Sequence, residues 1–203
     1  YSPLTPGTVY ELYVRADCGS GNYSQWAGPI NFNTTPAGSI CSAPINITGL
    51  PYSHTSNTNL YGDEVDTIQG VALCGATPTT TNYLQGAEVF YSYTATFTGN
   101  ITATMTPGGG AVSSSLFVYN GCGNFPGTCL GGVANTGSGP RIIPTLAVTA
   151  GQTYIFVISS STTPVAGIPY NLIIQQKFCD PPTTLSANTI TTTSANLSWV
   201  GPA

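Results

Sequence analysis

Apolar and polar side chains alternate with a period of two along much of this chain. Residues 8–16 read Thr-Val-Tyr-Glu-Leu-Tyr-Val-Arg-Ala. Tyr10, Leu12, Val14 and Ala16 share one face, Glu11 and Arg15 the other. Successive side chains of a strand point to opposite sides, so this pattern predicts a half-buried strand. A second strand is expected at 29–33, after a turn rich in Gly, Asn and Ser. The breaker-rich run 34–39 then reads as a linker.

The middle of the chain carries its own series. Val89, Tyr91, Tyr93, Ala95 and Phe97 alternate with Phe90, Ser92, Thr94 and Thr96, and Ile101, Ala103 and Met105 alternate with threonines. Gly99-Asn100 between the two runs reads as a two-residue hairpin turn. Residues 115–120 (SLFVYN) and 153–158 (TYIFVI) are apolar on both faces, as strands of a fully covered sheet would be. Tyr170, Leu172 and Ile174 open a further strand that ends near Lys177. Beyond the stiff Asp180-Pro181-Pro182, residues Ala195, Leu197 and Trp199 mark one more. That last strand has no evident partner, and a strand cannot stabilise itself alone. Short strands separated by Gly-rich turns argue for an all-β chain of tandem β-sandwiches.

Composition narrows the functional classes. Only 5% of residues are charged and the formal net charge is −4. Arg15, Arg141 and Lys177 are the only basic residues, too few and too scattered to neutralise a phosphate backbone, so nucleic acid is excluded as a partner. No apolar run approaches the ~20 residues of a spanning helix, so no membrane insertion is expected. No leader pattern precedes the first strand, and the chain begins in mid-pattern, which suggests a longer parent.

Six cysteines lack zinc-type spacing and suit disulfides, which persist outside the cytosol. Cys122 and Cys129 bracket a short loop and are the expected pair, with Cys41–Cys74 a second; six cysteines allow fifteen pairings. An extracellular location follows, at the cell surface or in secreted form.

Three of the seven acids fall within Gly62-Asp63-Glu64-Val65-Asp66, and Glu88 opens a strand further on. Carboxylates in turns suit a hard cation, so Asp63, Glu64, Asp66 and Glu88 are a candidate calcium site, although the spacing is not that of an EF-hand. The plainer reading is a solvated acidic turn. No other cofactor is implied. Asp66 and Glu88 are the one conceivable glycosidase pair, and nothing else in the chain supports that chemistry. The single histidine, His54, sits in a polar stretch read as an exposed turn, and no nucleophile elbow is present. The chain is therefore read as non-catalytic. Tyr52, Tyr61, Tyr83 and Phe125 lie in or beside turns and are candidate contacts for a sugar or protein partner, since rigid rings lose little entropy on binding. Tyr23 and Trp26 also neighbour turns, Trp26 being the poorest candidate because it is expected to pack on its own strands. Burial beneath loops is the competing reading for all of them.

The ends of the chain resemble known modules. Leu4-Thr5-Pro6-Gly7-Thr8-Val9-Tyr10 followed by Val14-Arg15-Ala16 resembles the sixth strand of a fibronectin type III domain. The resemblance implies that Tyr10 is a tyrosine-corner residue whose hydroxyl bonds to upstream backbone. Residues 179–203, with Ala195-Asn196-Leu197-Ser198-Trp199, look like the opening strands of another such domain. Both pieces are shorter than the ~100 residues of a complete sandwich. Residues 37–178 are similar to the bacterial pre-peptidase C-terminal β-sandwich, on Glu88-Val89-Phe90-Tyr91-Ser92-Tyr93, Leu116-Phe117-Val118-Tyr119 and Ala150-Gly151-Gln152-Thr153-Tyr154.

The organisation implied is a partial fibronectin-like domain over 1–36, a jelly-roll-like central sandwich over 37–178, and a second partial fibronectin-like domain over 179–203. Cys-x-x-Pro openings at Cys41 and Cys179 look like those of large Bacteroidota surface adhesins exported by type IX secretion. The resemblance then implies a structural or adhesive stalk module whose partners are neighbouring domains of the same chain and surface glycans or proteins. The alternative is a carbohydrate- or protein-binding accessory module of a secreted hydrolase. In the Bacteroidota setting, Asp66-Thr67-Ile68 is similar to O-glycosylation sites and marks Thr67.

Overall fold

The computed structural model describes residues 3–63, 83–110, 113–122, 128–161, 167–178 and 182–201. Among them the regular structure is β-strand, apart from one short 3-10 turn at Thr58–Leu60. Strand β1 (Val9–Val14) pairs antiparallel with β2 (Ala27–Asn33), placing Tyr10 opposite Phe32 and Leu12 opposite Ile30.

Nine strands follow: β3 (Ile45–Ile47), β4 (Tyr52–Asn57), β5 (Val89–Thr94), β6 (Gly99–Pro107), β7 (Ser114–Tyr119), β8 (Cys129–Asn135), β9 (Arg141–Val148), β10 (Thr153–Ser160) and β11 (Pro169–Lys177). They form one sheet of order β3-β5-β10-β7-β8 and a second of order β4-β11-β6-β9. Counted from β4, the eight main strands run 2-7-4-5 in the first sheet and 1-8-3-6 in the second. That is the strand order of a jelly roll, two interlocked Greek keys. β3 is an addition, pairing parallel with β5 at the sheet edge.

The alternation read from the sequence sets the two inner faces. Val89, Tyr91 and Tyr93 of β5, Leu116 and Val118 of β7, and Phe156 and Ile158 of β10 face Ile101, Ala103, Met105, Leu172 and Ile174 from the other sheet. The five-stranded sheet is dry on its other face as well. Phe90, Phe117, Tyr119, Ile155 and Val157 are buried there beneath Tyr83 and Leu84. Strands β7 and β10 are thus covered on both sides, as their unbroken apolar runs require.

Four expectations need correction. Gly99-Asn100 is not a hairpin turn. β5 and β6 lie in opposite sheets, and both residues already belong to β6, with Asn100 opposite Ala147 and Lys177. His54 is not in an exposed turn but on β4, opposite Leu172. The terminal strand has a partner after all: β12 (Thr183–Asn188) pairs with β13 (Asn196–Val200).

The fourth concerns the cysteines. Cys122 bonds to Cys41, 81 residues away, so neither Cys122–Cys129 nor Cys41–Cys74 forms. The ladder places Cys129 opposite Tyr119, out of step with Cys122, while Asn120 closes the hairpin by donating to the Thr128 carbonyl. Cys129 is disulfide-bonded too. Cys18 is exposed and free. Cys41, Cys122 and Cys129 all pack on the outer core of the five-stranded sheet.

A local device recurs. The Tyr10 hydroxyl accepts from the Thr5 N–H at 2.7 Å, the upstream bond expected of it, and the Tyr154 hydroxyl accepts from the Thr149 N–H at 2.8 Å. Both sit in Thr-x-Gly-x-x-Tyr, and the glycines have φ of +64° at Gly7 and +82° at Gly151. Only glycine adopts that left-handed turn without steric cost.

A bridge closing an 81-residue loop removes about 4.5 kcal/mol of unfolded-state entropy in the chain-closure account. The double variant Cys41→Ser/Cys122→Ser is expected to lose roughly 2–4 kcal/mol in a urea titration. An unchanged midpoint would show that the bridge does not restrain the unfolded chain.

Candidate functional site

The residues able to do chemistry divide into those consumed by the fold and those left facing solvent. Strand β4 directs Tyr52, His54 and Ser56 toward the end of the core, because its Tyr-Ser-His-Thr-Ser-Asn sequence alternates there as apolar residues do elsewhere. The His54 Nδ1 lies 2.7 Å from the Tyr91 hydroxyl, which bonds in turn to the Tyr170 hydroxyl between the sheets. Ser56 bonds the Tyr61 hydroxyl at 2.9 Å. The rings of Tyr52, Tyr91, Tyr170 and His54 meet edge to face or tilted. Burial raises Tyr91 and Tyr170 far above the usual phenol range, and burial likewise lowers His54. Both phenols therefore stay protonated and serve as hydrogen-bond links.

Glu88 is 1% exposed, and its carboxylate accepts the Ser159 hydroxyl at 3.2 Å. Its backbone N–H donates to the Gly62 carbonyl, which brings the start of β5 beside Asp63. Of the acids read as a calcium site, Asp63 and Glu88 lie in segments joined by that backbone bond, while Glu64 and Asp66 lie outside the described residues, as does Thr67. Among the described residues no three His, Cys, Asp or Glu side chains stand close enough to hold a metal ion.

The loop aromatics are largely withdrawn from solvent. Tyr83 is 3% exposed and forms part of the outer core, which removes it as a ligand contact. Tyr52 and Tyr61 are half-buried against the inner core, and Phe125 lies outside the described residues. The apolar neighbourhood of each turn, invisible in its own few residues, draws these rings inward.

The sequence reading missed Arg141. Its side chain is fully buried at the start of β9. Nε donates to the Ser114 carbonyl at 2.8 Å, Nη2 to those of Asn135 and Gly137 at 2.9 and 2.6 Å, and Nη1 to that of Gly139. This guanidinium closes the β8–β9 turn from within.

What remains open is the outer face of the β4-β11-β6-β9 sheet and the two separate hairpins. The sheet face presents Ser53, Thr55, Thr102, Thr104, Thr106, Asn171, Ile173 and Gln175. Asn171 donates to Thr55 at 2.7 Å. Lys177 at the end of β11 reaches Thr145 on the far edge strand β9. On the β1–β2 hairpin, Leu12, Val14, Ile30 and Phe32 are exposed on one side. On the other, Arg15 stacks over Tyr23 at 3.9 Å and Trp26 at 4.7 Å. Trp26 therefore packs on a neighbouring side chain, yet remains 59% exposed. The β12–β13 hairpin exposes Leu185, Leu197 and Trp199.

These features define an all-β, disulfide-bonded β-sandwich protein, and a bridge of this kind marks a chain exported from the reducing cytosol. No family model matches the chain, and no curated protein matches it. Among solved structures it is similar to PliG of Aeromonas hydrophila, a periplasmic lysozyme inhibitor of g-type lysozyme. The identity is 14% over 66% of this chain and 96% of that one, with a TM-score of 0.36. A likeness that weak bears on neither fold nor function.

Two outcomes are expected. The unfolded chain takes up a proton at His54 near the ordinary pKa of 6.5, before the native state does, so stability falls as pH drops below about 6.5. It levels off once the native imidazole also titrates. His54→Phe should flatten the His54 part of this slope in urea midpoints measured from pH 7.5 to 5. Arg141→Met strands four backbone carbonyls and is expected to cost more than about 3 kcal/mol, read by the same denaturation.

Proposed function

We propose that this chain is a non-catalytic structural and adhesive segment of a large modular protein, acting as a stalk module at the cell surface or in a secreted assembly. The observation that carries the reading is the pair of exposed apolar hairpin faces. Leu12, Val14, Ile30 and Phe32 on β1–β2, and Leu185, Leu197 and Trp199 on β12–β13, stand on either side in sequence of a closed sandwich. A two-stranded hairpin is marginal in water on its own, so each needs a cover. On this reading the hairpins belong to fibronectin type III-like units over 1–36 and 179–203. Neighbouring segments of the same protein supply the missing strands.

The consumed chemistry supports the same reading. His54, Glu88 and Arg141 are all tied into the fold by hydrogen bonds, as structural groups would be. Disulfides and proline-rich junctions would stiffen such an array, and low charge limits repulsion between its modules. Export by a type IX route in a Bacteroidota species fits the Cys-x-x-Pro openings at Cys41 and Cys179.

Mass spectrometry of the native polypeptide on both sides of these residues tests the proposal. Tandem sandwich repeats with the same Cys-x-x-Pro and Leu-x-Pro-Gly-Thr-x-Tyr features are expected. An adjoining hydrolase domain would overturn the stalk reading and make the segment an accessory module.

A further inference from the structure

The end of β11 and the entry to β4 enclose a pocket of about 310 Å³ lined by Leu50, Pro51, Gln175, Gln176 and Phe178. That volume lies at the lower end of small-molecule sites, enough for one ring. Residues 50–51 and 175–178 meet because β4 and β11 are antiparallel neighbours, with Ile174 opposite Tyr52.

Its chemistry is specific. Phe178 is 72% exposed although it borders a well-packed sandwich, so an aromatic face stands open at the rim. Gln176 lines the pocket beside it, its amide offering a carbonyl acceptor and an NH₂ donor in one plane. Among the described residues no ionisable side chain lines the pocket, and Lys177 between Gln176 and Phe178 is directed to Thr145 on the far edge strand. Gln175 also continues onto the open sheet face, where Thr102 is its neighbour on β6 and Ser53, Thr55, Thr104 and Asn171 follow.

We propose that this pocket is a binding subsite for a neutral sugar ring, the terminal or internal unit of an uncharged oligosaccharide. A pyranose has apolar C–H faces that stack on an aromatic ring, and neighbouring hydroxyls that act as donor and acceptor at once. Phe178 supplies the first contact and the Gln176 amide the second. The described lining carries no cation, which disfavours phosphate, sulfate and uronic acid units that would give up hydration for no countercharge. The hydroxyl- and amide-bearing sheet face gives further units of a chain a surface to lie on. The site stands whether or not the stalk reading holds, because it rests only on the central sandwich.

The test titrates the full chain with gluco-, manno- and galacto-hexasaccharides and follows backbone amide shifts by NMR. At least one of them should bind with a dissociation constant on the order of 1 mM, as expected for one ring and a few hydrogen bonds. Shifts should centre on Leu50, Gln175, Gln176 and Phe178, unchanged between pH 5.5 and 8 and nearly independent of salt. Phe178→Ala and Gln176→Ala should each weaken binding by about tenfold or more, with melting temperature and spectral dispersion retained because both side chains are solvent-facing. No shift with any of the three sugars at 20 mM would overturn the proposal. So would shifts that survive both substitutions, or a steep salt dependence. An uncharged proline-containing peptide that bound here while the sugars did not would overturn it in favour of peptide recognition.

Discussion

A β-sheet that must be dry on both faces governs this molecule. β10 lies between β5 and β7, and its side chains enter two cores at once: Tyr154, Phe156 and Ile158 the inner one, Ile155 and Val157 the outer one. The inner face is covered by the second sheet of the jelly roll. Among the described residues no third sheet covers the outer face, which is closed by Tyr83 and Leu84 and flanked by Cys41, Cys122 and Cys129. The disulfide thus stands at the margin of a hydrophobic layer. It ties the segment before β3 to the loop after β7, far apart in sequence and adjacent in space. The same asymmetry leaves the outer face of the four-stranded sheet wet.

A chain with so few charges still buries polar groups, and each one described above has a partner where a partner is needed. Tyr91 and Tyr170 come from opposite sheets and meet hydroxyl to hydroxyl, with His54 closing the series near the surface. Removing one member would strand the others in a medium of low polarity, which costs more than the net worth of each bond. Arg141 carries the same logic to a cation. A buried guanidinium is tolerable when several carbonyl dipoles face it, and four do. These groups specify one packing of two sheets that would otherwise slide on uniform apolar faces.

The sequence disclosed the strands whose alternation reports burial, namely β1, β2, β5, β6, β7, β10, β11 and β13. It hid β8 and β9 for an identifiable reason. Both are edge strands, where Gly131, Gly132 and Pro144 are tolerated, and those residues read as breakers. It hid β4 because serine, threonine and histidine fill a strand whose inward partners are tyrosine hydroxyls. Gly99-Asn100 misled because a sheet-to-sheet crossover and a hairpin share the same punctuation. The cysteine pairing failed because proximity in sequence was weighed where ladder register decides. The sugar pocket was illegible for a similar reason: Pro51 and Phe178 meet only after the first and last strands of the jelly roll have paired.

The repeated Thr-x-Gly-x-x-Tyr device separates local from tertiary control. At Tyr154 the tyrosine is buried and β10 is locked on both sides, so the bond to Thr149 could be a by-product of packing. At Tyr10 the surrounding hairpin is largely exposed, and the bond to Thr5 forms with nearly the same length. Deep burial is therefore not what makes it. The left-handed glycine and the six-residue span suffice to set the turn, and the phenol then fixes where the strand begins. A hairpin whose start is fixed in this way presents its apolar face in one register before any cover arrives. Register is what a docking partner must read, because a slip of one residue would turn Leu12 and Val14 to the opposite side.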